Sequence, residues 1–245
     1  MINLLAMGAQ MHSWQEEQIQ LLLDAQTEAG FLNALSQIAD ELGYDYCAYG
    51  MRMPLPLSQP RVIMLSSQPQ QWQRHYLDDY YHSVDHEIHD MHSITPYIWS
   101  GDEYVGSAKF WRDARTHGLE AGWAQSSHDA RGIVGMLTFA RSHSHLSFKE
   151  LRNRALQKSW LAQTAHEAFS RLLVPRFLPE AETQLTTREV EVLRWSADGK
   201  TSGEVGNIMC ISERTVNFHV NNALVKLGAS NKTAGVIKAA ILGFL

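Results

Sequence analysis

Apolar residues recur three and four positions apart in several segments of the first two thirds of the chain. EEQIQLLLDAQ and EAGFLNALSQIADELG have this spacing, and Gly43 ends the second segment. A further helix can start at Pro69, and SAKFWRDARTHG is a helix that Gly118 ends. A longer helical pattern begins with SFKELRNRALQKSW. The periodicity therefore predicts helices throughout this part of the chain.

Segments typical of strands lie between these helices. YDYCAYGMRM and RVIMLSS are typical of strands, and LEAGWAQSS and GIVGMLTFAR form a pair that turns through HDAR. Helices interspersed with strand pairs of this kind favour an α/β/α sandwich with an antiparallel sheet.

A composition change divides the chain. The stretch LLVPRFLPEAETQ carries two prolines and acidic residues, follows the long helical pattern and precedes a new helix cap. We therefore predict an N-terminal domain at residues 1–171, a linker at 172–183 and a second domain at 184–245.

The second domain has the local chemistry of four short helices. Two capping boxes, two further caps and one glycine stop carry this prediction: Thr186 with Glu189, Thr201 with Glu204, Ser212, Asn231 and Gly228. The short turn CIS between the second and third helices is typical of a helix-turn-helix. The fold class is then α+β, with an all-α C-terminal domain.

The third of these helices has one apolar and one polar face. We expect the apolar face at Val216, Val220, Ala223, Leu224 and Leu227, and the exposed face at Arg214, Asn217, His219, Asn221 and Asn222. Asparagine can form two hydrogen bonds with an adenine edge, and helix ends can hold phosphates. A small helical bundle with a solvated face is the alternative.

The C-terminal motif resembles the helix-turn-helix domain of LuxR-type transcription regulators. LTTREVEVLRWSADGKT followed by SERTVNFHVNNALVKL carries the pattern almost throughout, with Glu189, Leu193 and Gly199 at hallmark positions. The resemblance implies a homodimer that binds a two-fold symmetric double-stranded promoter site and works with RNA polymerase. The expected DNA-binding residues are Lys200, Thr201, Arg214, Thr215, Asn217, Phe218, Asn221, Lys226, Asn231 and Lys232.

The upstream part resembles, more loosely, the acyl-homoserine-lactone domain of quorum-sensing members. GYDYCAYGMRMPLP, PQQWQRHYLDDYYHSVD, YIWSGD and HGLEAGWAQSSHDARGIVGMLTFAR carry this resemblance, with Gly122 at a hallmark position. By that resemblance Trp72 donates to the lactone carbonyl, Asp85 accepts from the amide N–H, and Thr138 meets the acyl carbonyl. Tyr76 and Trp99 line the pocket, and Gln68 is expected among the ligand-binding residues.

Four departures from the family pattern concern this same pocket. Relatives usually have proline where His86 follows Asp85, and Gln68 stands where a pocket tyrosine is expected. Ser126 replaces a common proline, and the spacing from Asp85 to Trp99 is one residue shorter. These changes leave open a regulator that folds and binds DNA without any lactone.

The segment HYLDDYYHSVDHEIHDMH raises a third alternative, because it holds five histidines and four aspartates. His86, His89 and His92 are spaced for one helical face, so a metal is conceivable, as is a hydrolase or a metal-dependent lactonase. No nucleophile motif accompanies them. Solvated histidines explain the segment more simply, and we expect neither a metal site nor catalytic residues.

Charge and cysteine content change this interpretation little. From Thr183 on, seven Lys and Arg face five Asp and Glu, whereas the whole chain has a net charge of −5. Two distant cysteines provide no disulfide framework, and no apolar run is long enough for a bilayer. We expect a cytoplasmic regulator with no membrane partner and no cofactor, other than a possible lactone ligand.

Overall fold

The computed structural model describes residues 17–78, 95–100, 108–143 and 155–245. The chain forms two compact units. The first contains Met1–Arg52, Val62–His128 and Val134–Leu172, and the second contains Met53–Arg61, Asp129–Ile133 and Leu173–Leu245. None of the helices in the described ranges is long and apolar enough to cross a membrane.

The first unit is built on one five-stranded antiparallel sheet in the order β2-β1-β5-β4-β3. The strands are β1 (Tyr46–Arg52), β2 (Val62–Ser66), β3 (Tyr97–Ser100), β4 (Ala121–His128) and β5 (Val134–Arg141). The helices are α1 (17–23), α2 (Glu28–Leu42), α3 (Gln70–Asp78), α4 (Ala108–Thr116) and α5 (Ala155–Phe177). The predicted strands and the described parts of the predicted helices are confirmed, with α3 starting one residue after Pro69. The beginning of the long helical pattern, SFKELRNR, lies outside the described residues.

Helices cover both faces of this sheet. On one face, Phe31 of α2, Tyr49 of β1 and Phe169 of α5 are fully buried with ring centroids 4.8–5.6 Å apart. Burying each such ring contributes about 2–3 kcal/mol. On the other face, Trp72 of α3 and Ala114 of α4 join a second buried cluster. The predicted sandwich with an antiparallel sheet is confirmed.

The proline-containing segment after residue 171 is more helical than a linker prediction suggests. Helix α5 continues through Pro175 to Phe177, and a 3₁₀ turn follows at Pro179–Glu182. Leu173, Val174 and Leu178 are each 1% exposed, so apolar burial offsets the hydrogen bond that proline removes. The boundaries of the linker at 172–183 stay a prediction.

Four helices make up most of the second unit: α6 (Thr187–Ala197), α7 (Ser202–Met209), α8 (Glu213–Lys226) and α9 (Lys232–Ile241). All four predicted caps are present, and both capping boxes are complete. The core consists of Val192, Val205, Val216 and Val220. The helix-turn-helix prediction is therefore confirmed at its caps and in its core.

Candidate functional site

One face of the sheet carries small side chains at its centre. Strand register and side-chain alternation place these residues together: Ala48, Gly50, Gly122, Ala124, Ser126, Thr138 and Ala140. We call this set the small-residue face. Thr138 lies between Ala48 and Ala124 in the register. A Cβ added at Gly50 would meet no atom of the described residues within 4 Å, so none of these residues packs directly on Gly50.

Two tryptophans pack over the small-residue face. Trp72 and Trp99 are 3% and 4% exposed and belong to the same buried cluster, which also contains Met136. Thr138 is 8% exposed. The structure thus places these three predicted ligand residues on the same face of the sheet.

Gly122 is required by the position of Trp99. The two residues are register partners on β4 and β3. A Cβ at position 122 would lie 2.0 Å from Cζ2 of Trp99, which is an impossible approach. The ring of Tyr97 stacks on Trp99 at 6.1 Å, and the ring of His117 lies 5.6 Å from Trp72. The glycine that the family resemblance singles out therefore provides room for the indole.

Two parts of the predicted ligand site lie outside the described structure: the side chain of Tyr76 and the whole of Asp85. The segment with His86, His89 and His92, considered above as a metal site, also lies outside it. Within the described ranges, no group of three or more His, Cys, Asp or Glu residues could hold a metal ion.

Gln68 belongs to the turn between β2 and α3. Its Oε1 accepts a hydrogen bond from Ser66 Oγ at 3.1 Å, and its backbone N–H donates to the same Oγ. Gln73 Nε2 donates to the carbonyl oxygens of Gln68 at 2.7 Å and Ser66 at 3.2 Å. Ser66 and Gln73 were not among the predicted site residues, since their contacts with Gln68 depend on the fold of this turn.

The turn of the helix-turn-helix depends on a close backbone approach. Cys210 adopts a left-handed conformation with φ 55° between α7 and α8. A Cβ at Gly206 would lie 2.8 Å from the carbonyl oxygen of Ile211 in this turn. Sequence reasoning did not single out Gly206, although a glycine inside a helical pattern is a recognised signal of close packing.

Helix α8 exposes one stripe and buries the opposite one. Arg214, Asn217, Phe218 and Asn221 are exposed, and Phe218 is 60% exposed. The predicted apolar stripe is buried except for Leu224, which is half-buried. His219 and Asn222 were expected to be exposed, but they are half-buried, because they lie at the edges between the two stripes.

Two side chains on α8 are held by residues at helix starts. Ser202 Oγ, at the start of α7, donates to Asn217 Oδ1 at 2.8 Å. The hydroxyl of Thr215 lies 2.8 Å from that of the cap residue Ser212. Ser202 was not among the predicted site residues, since its contact with Asn217 bridges two helices.

Lys226 forms an internal ion pair that the sequence analysis did not foresee. Its Nζ lies 2.7 Å from Oε2 of Glu189 and also donates to the carbonyl oxygen of Gln184. Burial acts to raise the pKa of Glu189, but hydrogen bonds from Lys226 and Thr186 outweigh it and lower that pKa below its usual value. The DNA contact of Lys226 stays a prediction.

The remaining predicted phosphate contacts surround the α6–α7 turn and the start of α9. Lys200, Thr201 and Asn231 are exposed, and Lys232 Nζ donates to the carbonyl oxygen of Lys200 at 3.4 Å. The backbone N–H of Thr201 donates to Glu204, which lowers the pKa of that carboxyl.

Both units have counterparts among known proteins. Residues 27–169 match the autoinducer binding domain, and residues 183–239 match the bacterial regulatory proteins of the luxR family. The transcriptional activator protein AnoR of Acinetobacter nosocomialis is 42% identical over 238 residues, with 96% of this chain and 100% of that protein covered.

Solved structures agree with this similarity. The crystal structure of Escherichia coli SdiA gives a TM-score of 0.81 at 29% identity, covering 95% of this chain and 98% of that chain. A structure of SdiA in complex with octanoyl-rac-glycerol gives a TM-score of 0.80 at 29% identity, covering 96% of each chain.

Proposed function

Since the chain belongs to the luxR family of quorum-sensing transcription regulators, with an autoinducer binding domain ahead of its helix-turn-helix, we propose that an acyl-homoserine lactone controls its binding to DNA. The observation that carries this proposal is the burial of Trp72 and Trp99 over the small-residue face. The family consists of transcription regulators, so the enzyme hypothesis is dropped.

The chemistry of such a lactone suits this site. The ligand has two carbonyl acceptors, one amide donor and an apolar tail, and pockets for small molecules combine apolar walls with a few placed polar groups. We propose that Trp72 donates its indole N–H to the lactone carbonyl and that Thr138 meets the acyl carbonyl. Asp85 and Tyr76 are proposed as the amide acceptor and a wall residue, with Trp99 as a second wall.

Thermal melting with a panel of acyl-homoserine lactones tests the ligand directly. A ligand that binds only the folded protein at a hundred times its Kd adds about 2.7 kcal/mol. We expect one acyl length to raise the Tm by several degrees. Trp72→Phe keeps an aromatic ring but removes the N–H, so it should lose most of that shift. A well-folded wild type with no shift for any lactone would contradict the proposal.

A regulator that works without a lactone is the second candidate function. The observation that favours it is Gln68, whose side chain is engaged by Ser66 in the β2–α3 turn where relatives are expected to have a pocket tyrosine. This candidate predicts soluble, DNA-competent protein from a host that makes no lactone. Insoluble protein that a lactone rescues would contradict it.

We propose that the active form is a homodimer on a two-fold symmetric site. Leu156 and Trp160 lie one turn apart on α5 and are 88% and 51% exposed, which provides apolar surface that a second copy could bury. We also propose that the dimer acts in the cytoplasm together with RNA polymerase. Phosphate contacts at Lys200, Thr201, Arg214, Asn231 and Lys232 would orient it on the duplex.

A further inference from the structure

We propose that α8 reads A·T base pairs, with Phe218 against a thymine methyl group and Asn217, positioned by Ser202, on an adenine edge. This inference rests on the proposed DNA binding and adds the class of base pair that the helix selects. It also assigns a role to Ser202, which no DNA-binding prediction included.

The exposed stripe of α8 has little of the chemistry that reads guanine. Over three turns it presents Arg214, Asn217, Phe218, Asn221 and Val225. Arginine and lysine are the common readers of guanine, because its major-groove edge has two acceptors. Within α8, all of which the structure describes, neither residue type occurs between Arg214 and Lys226. The centre of the stripe therefore has two carboxamides and two apolar side chains.

Phe218 provides the apolar contact. It is 60% exposed, lies next to Asn217 and one turn before Asn221, and has its ring edge-on to His219 at 5.6 Å. The core around Val216 and Val220 is formed without Phe218. The ring therefore has no role in the packing of these two residues. Thymine is the base that carries a methyl group in the major groove, and an apolar side chain distinguishes it by that group.

Asn217 is held in advance of any DNA contact. Its Oδ1 has two acceptor positions, and Ser202 Oγ occupies one of them at 2.8 Å. The second position and the Nδ2 donors are then available to the N6–H and N7 of one adenine, which need an acceptor and a donor in one plane. Since Ser202 begins α7 directly after its cap Thr201, this hydrogen bond ties the amide to a fixed helix end. Fixing a rotamer before binding lowers the entropy cost of the contact.

The experiment starts from a selection with full-length protein on a pool of double-stranded oligonucleotides with 20 randomised base pairs. Two protein preparations are used, one purified in the presence of the lactone panel and one purified without any lactone. We expect an enriched two-fold symmetric sequence with A·T pairs in each half-site. If no sequence is enriched in either preparation, the proposed DNA binding itself is contradicted. If a site is enriched, DNA binding is supported and the contacts with single bases can be tested on that site.

Single-atom changes in the enriched duplex then test each contact. Replacing a read thymine by deoxyuridine removes only the methyl group, and we expect about a four-fold loss of affinity per half-site for wild type. Phe218→Ala should bind the thymine and deoxyuridine duplexes equally. Ile237→Ala removes another exposed apolar side chain, on α9, and should keep the wild-type ratio between the two duplexes.

The role of Ser202 has its own double-mutant test. Replacing the read adenine by 7-deazaadenine removes N7, and we expect about a ten-fold loss for wild type. Ser202→Ala should weaken binding to the adenine duplex by several-fold, but it should have little effect on the 7-deaza duplex or in an Asn217→Ala background. All the substituted side chains are exposed or half-buried, and a melting curve for each variant verifies its folding.

Two results would overturn the inference while leaving DNA binding intact. In the first result, Phe218→Ala or Asn217→Ala abolishes the base preference at certain positions of the half-site, and all of those positions hold G·C pairs. The other is an unchanged affinity when deoxyuridine replaces each thymine in turn.

Discussion

At the scale of single residues, replacement by alanine is expected to have opposite effects on stability at two glycines of α7. A Cβ at Gly206 would lie 2.8 Å from the carbonyl oxygen of Ile211, whereas a Cβ at Gly203 would meet only Glu213 Oε2 at 3.7 Å. Gly206→Ala must therefore shift the turn, and we expect a loss of about 1–3 kcal/mol of unfolding free energy. Gly203→Ala should gain about 0.5–1 kcal/mol through helix propensity.

Chemical denaturation of the two alanine variants compares them directly, because they differ by one turn of the same helix. A Gly206→Ala variant as stable as Gly203→Ala would mean that α7 and the turn are not as close as the structure has them. The DNA affinity of Gly206→Ala should also fall, since the turn sets the angle between α7 and α8.

At the scale of helices, the ion pair between Lys226 and Glu189 links the end of α8 to the start of α6. Glu189 is 3% exposed, so Lys226→Met would leave a buried carboxylate with only its capping contacts. We expect a loss of about 2 kcal/mol of unfolding free energy at neutral pH. The control is Arg188→Met, which breaks an exposed pair with Glu191 and should cost about 0.5 kcal/mol or less.

The pH dependence of that loss has a defined sign. The pKa of Glu189 is lowered by folding, so its contribution to stability is present above its unfolded value of about 4.5 and is lost as pH falls through the folded value. The difference in unfolding free energy between wild type and Lys226→Met should therefore shrink in acid. A difference that stays constant down to pH 3 would show that the loss does not come from the ionised carboxylate of Glu189.

The four C-terminal helices were predictable because their starts are local. A capping box such as Thr186 with Glu189 spans four residues, and its chemistry is visible in the sequence. The contacts between helices were not predictable in this way. Ser202 with Asn217 and Lys226 with Glu189 depend on packing distances between elements, and α5 extends through Pro175 because of burial that periodicity does not reveal.

At the scale of the whole molecule, the expected roles of the two domains, ligand binding and DNA binding, came from the family resemblance and not from composition. A net charge of −5 does not indicate DNA binding, and without the family pattern Trp72 and Trp99 would be plain core aromatics. The structure adds a contact that the pattern could not supply: Gly122 makes room for the indole of Trp99.

Control of DNA binding by the ligand is tested by the affinity of full-length protein for its selected duplex, with and without the lactone that raises the Tm most. Fluorescence anisotropy with a labelled duplex measures it at fixed salt, because affinity for DNA varies with salt. We expect at least a ten-fold tighter Kd with lactone for wild type, and little change for Trp72→Phe. An equally tight Kd in wild-type protein that was expressed and purified without any lactone would contradict control by the ligand.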